Sequence, residues 1–271
     1  MLEVITREPH AETRGPPLLF VHGAWHGAWC WDAHFLPYFA GHGYRSHALS
    51  LRAHGESPGK LRGSRIADYV ADVAEVAKTL AAPPVLIGHC MGGFVVQKYL
   101  EKHPARGALL LASVPPTGVL GVSLRIAWRH PVRFAAMNLK RSLYPLVSDT
   151  EIARAYLFSP AMRDDAVKVY QKHLGDESYR AYLDMLLTRC HPGRVKVSVA
   201  VVGAEEDALI TPKEVWITAR AYNTVPTLFH DIAHDVMLEP GWREVADFIR
   251  GWLKRLEELT PVPQRTFRPR K

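Results

Sequence analysis

The sequence predicts an α/β fold: a mostly parallel sheet with helices on both faces, interrupted by a helical insertion. Three observations predict it. Short apolar runs bounded by Gly and Pro alternate with amphipathic helical patterns up to residue 112 and again after residue 195. Between about residues 115 and 194 there is no strand candidate, only helical segments. The stretch Val85–Phe94 joins an apolar run directly to a helical pattern through Gly88-His89-Cys90-Met91-Gly92. The chain of 271 residues is therefore divided into a sheet domain over 1–114 and 195–259, a helical cap over 115–194, and a tail over 260–271.

Each element has its own signal. Leu2 to Glu8 alternates with period two, as a strand does, and Leu18-Leu19-Phe20-Val21 is apolar throughout, as suits a strand buried on both faces. Asp32 to His42 repeats Phe35, Leu36, Phe39 and Ala40 at helical spacing and stops at Gly43. Tyr44 to Leu49 suits another strand. Ser64 is placed to N-cap a helix running to Ala82, with Ile66, Tyr69, Val73 and Val76 on one face, and Pro83-Pro84 ends it. The helix after Gly92 ends at His103-Pro104, and Ala108 to Ala112 is a further buried strand. Helical segments are expected over 122–130, 131–143, 149–158, 164–173 and 177–189. Strands over 195–202 and 227–230 then alternate with helices over 212–221 and 242–259. The Pro- and Arg-rich tail is expected to be disordered.

The totals exclude several classes. No apolar run reaches the ~18–20 residues of a membrane span. The acidic, alternating N-terminus does not read as a signal peptide, and three cysteines form neither a metal motif nor a disulfide framework, so a reducing cytoplasm is the expectation. No cofactor or metal is called for. Net charge is +7, with much of the excess in the tail and in Arg125, Arg129, Arg133, Lys140 and Arg141. No nucleic-acid motif accompanies these residues, so a solvated basic face is the first reading and weak attraction of an anionic substrate or membrane surface the second. No feature bears on oligomeric state.

Gly-x-Cys-x-Gly between a strand and a helix is the spacing of a nucleophile elbow. The turn is so sharp that its central residue is strained, and a Cβ at Gly88 or Gly92 would collide with a neighbouring element. Cys90 is thereby raised above the sheet at a helix N-terminus, where negative charge is favoured. Val85 to Phe94 resembles the elbow of the α/β-hydrolase fold superfamily, with cysteine in place of the usual serine. Val21-His22-Gly23-Ala24-Trp25-His26-Gly27-Ala28-Trp29-Cys30-Trp31 is similar to the oxyanion loop of small esterases related to plant methyl esterases and hydroxynitrile lyases. The resemblance covers roughly residues 15–113 and 195–256. The superfamily loop Asp-x-Arg-Gly-His-Gly-x-Ser is altered here to Ser50-Leu51-Arg52-Ala53-His54-Gly55-Glu56-Ser57.

The resemblance implies a triad in the order nucleophile, acid, histidine. The acid falls in Ala204-Glu205-Glu206-Asp207, just past a strand end. Asp207 is favoured over Glu206 because the family spacing to the following proline, Pro212, fits it better. The base is His234, in the loop after the last strand, with His230 as the decoy at the strand end. The oxyanion donors are the backbone N–H groups of Met91 and Ala24. His22 is read as shaping the oxyanion loop, and Cys30 and Cys190 as packing residues. Trp25, His89, Trp128, Phe134, Met137 and Leu157 are the candidate pocket residues, facing a small-molecule acyl substrate of medium chain length or apolar bulk. Cysteine is far more acidic than an alcohol and forms a thioester, which favours thiol or amine acceptors over water more than an ester does. The expected function is hydrolysis of an ester, thioester or lactone. Acyl transfer through the same residues is the alternative, and a non-catalytic binding protein or a serine esterase with its nucleophile substituted is the second.

Overall fold

The computed structural model describes residues 1–10, 13 and 15–259, so the tail expected over 260–271 lies outside the described residues. Among the described residues seven strands form one sheet: β1 (Val4–Arg7), β2 (Leu18–Val21), β3 (Ser46–Leu49), β4 (Val85–His89), β5 (Gly107–Leu111), β6 (Val199–Ala204) and β7 (Thr227–Phe229). Their order is β1-β3-β2-β4-β5-β6-β7, with β1 antiparallel to β3 and every other pair parallel. Helices cover both faces of the inner strands, and β2, β3, β4 and β5 are buried at every residue, with β2 and β5 apolar or glycine throughout. Phe20 on β2 anchors an aromatic cluster, with the Trp31 ring centroid 5.0 Å and the Phe39 centroid 5.7 Å away. This is the α/β-hydrolase fold.

The helices are α1 (Trp29–Asp32), α2 (Phe35–Gly41), α3 (Ile66–Thr79), α4 (Cys90–Leu100), α5 (Leu120–Arg129), α6 (Pro131–Lys140), α7 (Thr150–Leu157), α8 (Asp164–Gln171), α9 (Tyr179–Leu187), α10 (Pro212–Ala221) and α11 (Trp242–Leu259). Two local expectations need correction. The helix expected over 32–42 begins only at Phe35, and a separate short helix ends at Asp32; the two are parted at His34, whose backbone leaves the helical region at φ −144°. Ser64 does not cap α3: its hydroxyl turns back to the Lys60 carbonyl, and the Asp68 carboxylate instead receives the Arg65 N–H. Helices α5 to α9 lie between β5 and β6, and no strand occurs there among the described residues. The loops after β2, β4, β6 and β7 all leave the carboxyl ends of parallel strands, the edge at which open α/β sheets bind ligands.

Candidate active site

The elbow is built by close backbone approach. Cys90 has φ +51°, left-handed for a residue with a Cβ. A Cβ on Gly88 would lie 2.7 Å from the Gly92 carbonyl oxygen, and one on Gly92 only 2.3 Å from that of His22. The helix therefore starts hard against β2 and β4, and only glycine fits at these two contacts. Cys90, 8% exposed, faces a cavity of about 60 Å³. The Met91 N–H lies in the first turn of α4, where no carbonyl within the helix reaches it. Ala24 also lines the cavity, in the loop after β2.

The acid and histidine loops are zipped together before their side chains meet. Glu205 N–H donates to the Phe229 carbonyl and Glu206 N–H to that of Ile232. This brings Asp207 Oδ2 to 2.8 Å from His234 Nδ1, with both side chains buried. Asp207 Oδ1 accepts the Leu209 and Ile210 N–H groups at 2.8 Å each, which fixes the carboxylate plane. Glu206 is exposed, and the decoy His230 pairs with Glu205 at the surface. Because a carboxylate can only accept, His234 Nδ1 carries a proton. With Nδ1 on Asp207, Nε2 is the ring nitrogen left for Cys90, a neighbour near enough to raise the pKa of the ring, and it makes no hydrogen bond among the described residues. Burial lowers the His234 pKa; the Asp207 charge and Cys90 outweigh it, and the imidazole is held well above its usual 6.5.

Three further histidines tie the loops together. His22 Nδ1 donates to the Gly23 carbonyl and Nε2 accepts the Leu51 N–H, an arrangement that admits only the neutral ring. Burial first, then neighbouring histidines, lower its pKa accordingly. His89 Nε2 donates to the His234 carbonyl at 2.9 Å, and burial together with His234 pushes its pKa down to about 3. Sequence reasoning missed the third, His26. Its Nδ1 meets the Ala24 carbonyl at 2.8 Å and its Nε2 meets Asp235 Oδ2 at 3.0 Å. Burial opposes ionisation of Asp235, but the charge and hydrogen bond of His26 prevail and its pKa is lowered. The pair links the peptide of Ala24 to the residue next to His234. The signal was the His26-Gly27 step and the His234-Asp235 dipeptide, but nothing in the sequence paired residues 209 apart.

Trp25, Phe134 and Met137 line the cavity, with Leu143, Met185 and Ile210 among its other walls. The remaining three candidates lie elsewhere. Trp128 is 83% exposed, because Ser123 and Ile126 take the inward face of α5. His89 and Leu157 are buried outside the lining, the one against His234 and the other accepting the Asp235 N–H. Among the described residues, His89, His234 and Asp235 bring one potential metal-ligating atom each within 4.8 Å of one another. Each of the three spends one polar atom on the bonds above, which hold His234 in place, and keeps another, His89 Nδ1, His234 Nε2 and Asp235 Oδ1, buried without a hydrogen-bond partner among the described residues.

Residues 18–248 match the Alpha/beta hydrolase family. The chain is 31% identical over 163 residues to salicylic acid-binding protein 2 of Nicotiana tabacum, covering 58% of this chain and 61% of that protein. It is 28% identical over 165 residues to methyl jasmonate esterase 1 of Vitis vinifera, covering 59% and 62%. The aligned part thus spans about three-fifths of the length of these relatives. Among solved structures, an esterase of Exiguobacterium antarcticum superposes with a TM-score of 0.77 over 93% of this chain and 95% of its own, at 14% identity, a likeness of fold. With its sheet order, its strained elbow and a family match running from β2 into the last helix, this chain belongs to the alpha/beta hydrolase family.

Proposed function

We propose that the protein hydrolyses carboxylic esters or thioesters of a small apolar acyl group, through a thioester on Cys90. The observation that carries this reading is the buried 2.8 Å contact of Asp207 with His234 while His234 Nε2 is left facing Cys90. His234 Nε2 takes the thiol proton, and the sulfur attacks the carbonyl carbon. The carbonyl π pair moves onto oxygen, where the Ala24 and Met91 N–H groups receive it; one such donor is worth roughly 3 kcal/mol. Collapse expels the leaving oxygen or sulfur, which takes the proton back from Nε2. Water then attacks the thioester, giving its proton to His234, and the acid leaves as the Cys90 sulfur is restored.

Residues 115–194 serve as the cap in this reading, since α5 and α6 supply Val122, Ser123, Ile126, Phe134 and Met137 to the cavity wall. A cavity of about 60 Å³ is smaller than the ~150 Å³ void that holds benzene. It favours a short acyl chain over the medium-chain or bulky group that the apolar pattern of the cap suggested. The test is intact-protein mass spectrometry with p-nitrophenyl butyrate. A butyryl adduct on Cys90 is expected, absent in Cys90→Ala and not formed in His234→Ala. Undiminished turnover in Cys90→Ala would reject the mechanism.

A further inference from the structure

The helices that wall the cavity carry a second apolar face on the outside. On α5, Leu120, Leu124 and Trp128 recur every fourth residue and are 57%, 63% and 83% exposed. On α6, Val132 and Leu139 are 81% and 86% exposed. Side chains of this size gain from leaving water, and five of them grouped on two adjoining helices need a cover. Folding has already used the opposite faces, through Val122, Ile126, Phe134 and Met137, so the outer stripes are not displaced core.

Charge identifies the cover. From residue 113 to 148 the chain has no Asp or Glu, yet it holds Arg125, Arg129, Arg133, Lys140 and Arg141. Arg125 is neutralised by Glu214 at 2.6 Å and Arg133 by Asp149 at 2.7 Å. Arg129, Lys140 and Arg141 have no carboxylate partner among the described residues and are exposed. A second copy packed on the same face by a two-fold axis would set these cations against their own duplicates. A nucleic acid would satisfy the cations but leave leucine, valine and tryptophan against phosphates. An anionic phospholipid surface satisfies both: aliphatic and indole groups enter the acyl boundary while the cations meet headgroup phosphates.

We propose that the outer face of α5 and α6 docks on an anionic membrane surface. No described helix is long and apolar enough to cross a bilayer, so the association is peripheral. The docked helices are the wall of the cavity, and an apolar ester dissolved in the lipid would reach Cys90 from that side. That last step rests on the hydrolase reading; the docking does not.

The test is co-sedimentation of the full chain, without substrate, with phosphatidylcholine vesicles containing a quarter phosphatidylglycerol, at about 0.1 M salt. Each cation at such a surface contributes roughly fivefold in partitioning, so Arg129→Gln/Lys140→Gln/Arg141→Asn should bind on the order of 100-fold less. Asn is chosen at 141 because that residue has φ +52°. Leu124→Ser/Trp128→Ser should lose roughly tenfold or more. Unchanged melting temperatures certify that both variants fold. Vesicles of phosphatidylcholine alone should bind little. The proposal is overturned if wild type fails to bind the anionic vesicles, if either variant binds as well as wild type, or if sedimentation velocity shows a dimer that Leu124→Ser/Trp128→Ser dissolves. Because binding is read without turnover, failure here leaves the Cys90 chemistry standing, and the reverse also holds.

Discussion

Replacing Asp207 with Asn separates a positioned catalytic pair from a merely structural contact. The asparagine Oδ1 keeps the Leu209 and Ile210 N–H groups, so its amide nitrogen is the atom that faces His234 Nδ1. That ring nitrogen must then accept, and the proton moves to Nε2, where it points at Cys90 instead of leaving a lone pair for the thiol. At about 4 Å between charge centres and an effective dielectric near 20, the lost attraction is about 4 kcal/mol, a ceiling of about 1,000-fold. A thiol ionises more readily than an alcohol, so the loss should fall short of the ~10,000-fold typical of serine triads. We expect kcat/KM on p-nitrophenyl butyrate to drop by about 100- to 1,000-fold. The pH profile should move as well. Asp207 and Cys90 raise the His234 pKa against burial, so the wild-type imidazolium survives to higher pH and is lost only as pH climbs through that raised value. With Asp207 neutralised, burial lowers the pKa and the alkaline limb shifts toward acid. A variant that melts normally, stays within about fivefold of wild type and keeps its alkaline limb would refute the reasoning.

Other perturbations bear on the scaffold. Gly92→Ala forces a Cβ to 2.3 and 2.4 Å from the carbonyl oxygens of His22 and Val21 and should cost about 3 kcal/mol or more, read as a lower urea midpoint; a neutral result would mean that the elbow is not as tightly built. Ala53→Gly should do the opposite: Ala53 has φ +62°, and relief of that strain should stabilise by up to about 1 kcal/mol, about 2–4 °C in melting temperature. His54 Nε2 meets Glu177 at 3.1 Å, and although burial lowers its pKa, the Glu177 charge and hydrogen bond leave it raised. Its stabilising contribution is therefore complete below about pH 6.5 and is lost as pH rises through the higher folded value. Glu177→Gln leaves burial opposed only by the backbone of Arg52 and Leu51, so its deficit, roughly 3 kcal/mol at acid pH, should shrink on going alkaline; a deficit independent of pH in urea titrations would contradict this.

Legibility in the sequence followed the range of the constraint. The elbow could be read because its glycines and strained residue are a local backbone requirement, all within five positions. The strands could be read because burial on both faces leaves an apolar run. The loop of residues 204–207 was narrowed by proline spacing alone, and it is the backbone pairing of Glu205 with the end of β7 and of Glu206 with Ile232 beyond it that turns Asp207 inward. Trp128 was misread for a definable reason. Helix α5 is apolar on two faces, so a helical period identifies stripes without saying which one faces the cavity. Ser64 was misread as a cap because capping depends on where the side chain turns: the helix starts one residue later, with Arg65 at the cap position and Asp184 accepting the Ile66 N–H. The His26–Asp235 and His54–Glu177 pairs join residues 209 and 123 apart, and fourteen histidines gave no reason to single either out.

Sorting those histidines by proton inventory supports the proposed base independently of chain position. His26 and His54 point both ring nitrogens at acceptors, so neither has a lone pair to offer. His22 spends one nitrogen as donor and the other as acceptor. Two rings beside the elbow keep a buried nitrogen without a full hydrogen bond among the described residues, His89 at Nδ1 and His234 at Nε2. Basicity decides between them. With a pKa near 3, His89 cannot hold a proton taken from a thiol near neutral pH, whereas His234, raised by Asp207, can. The same burial acts on both rings, and the carboxylate behind only one of them is what favours that ring as the proposed base.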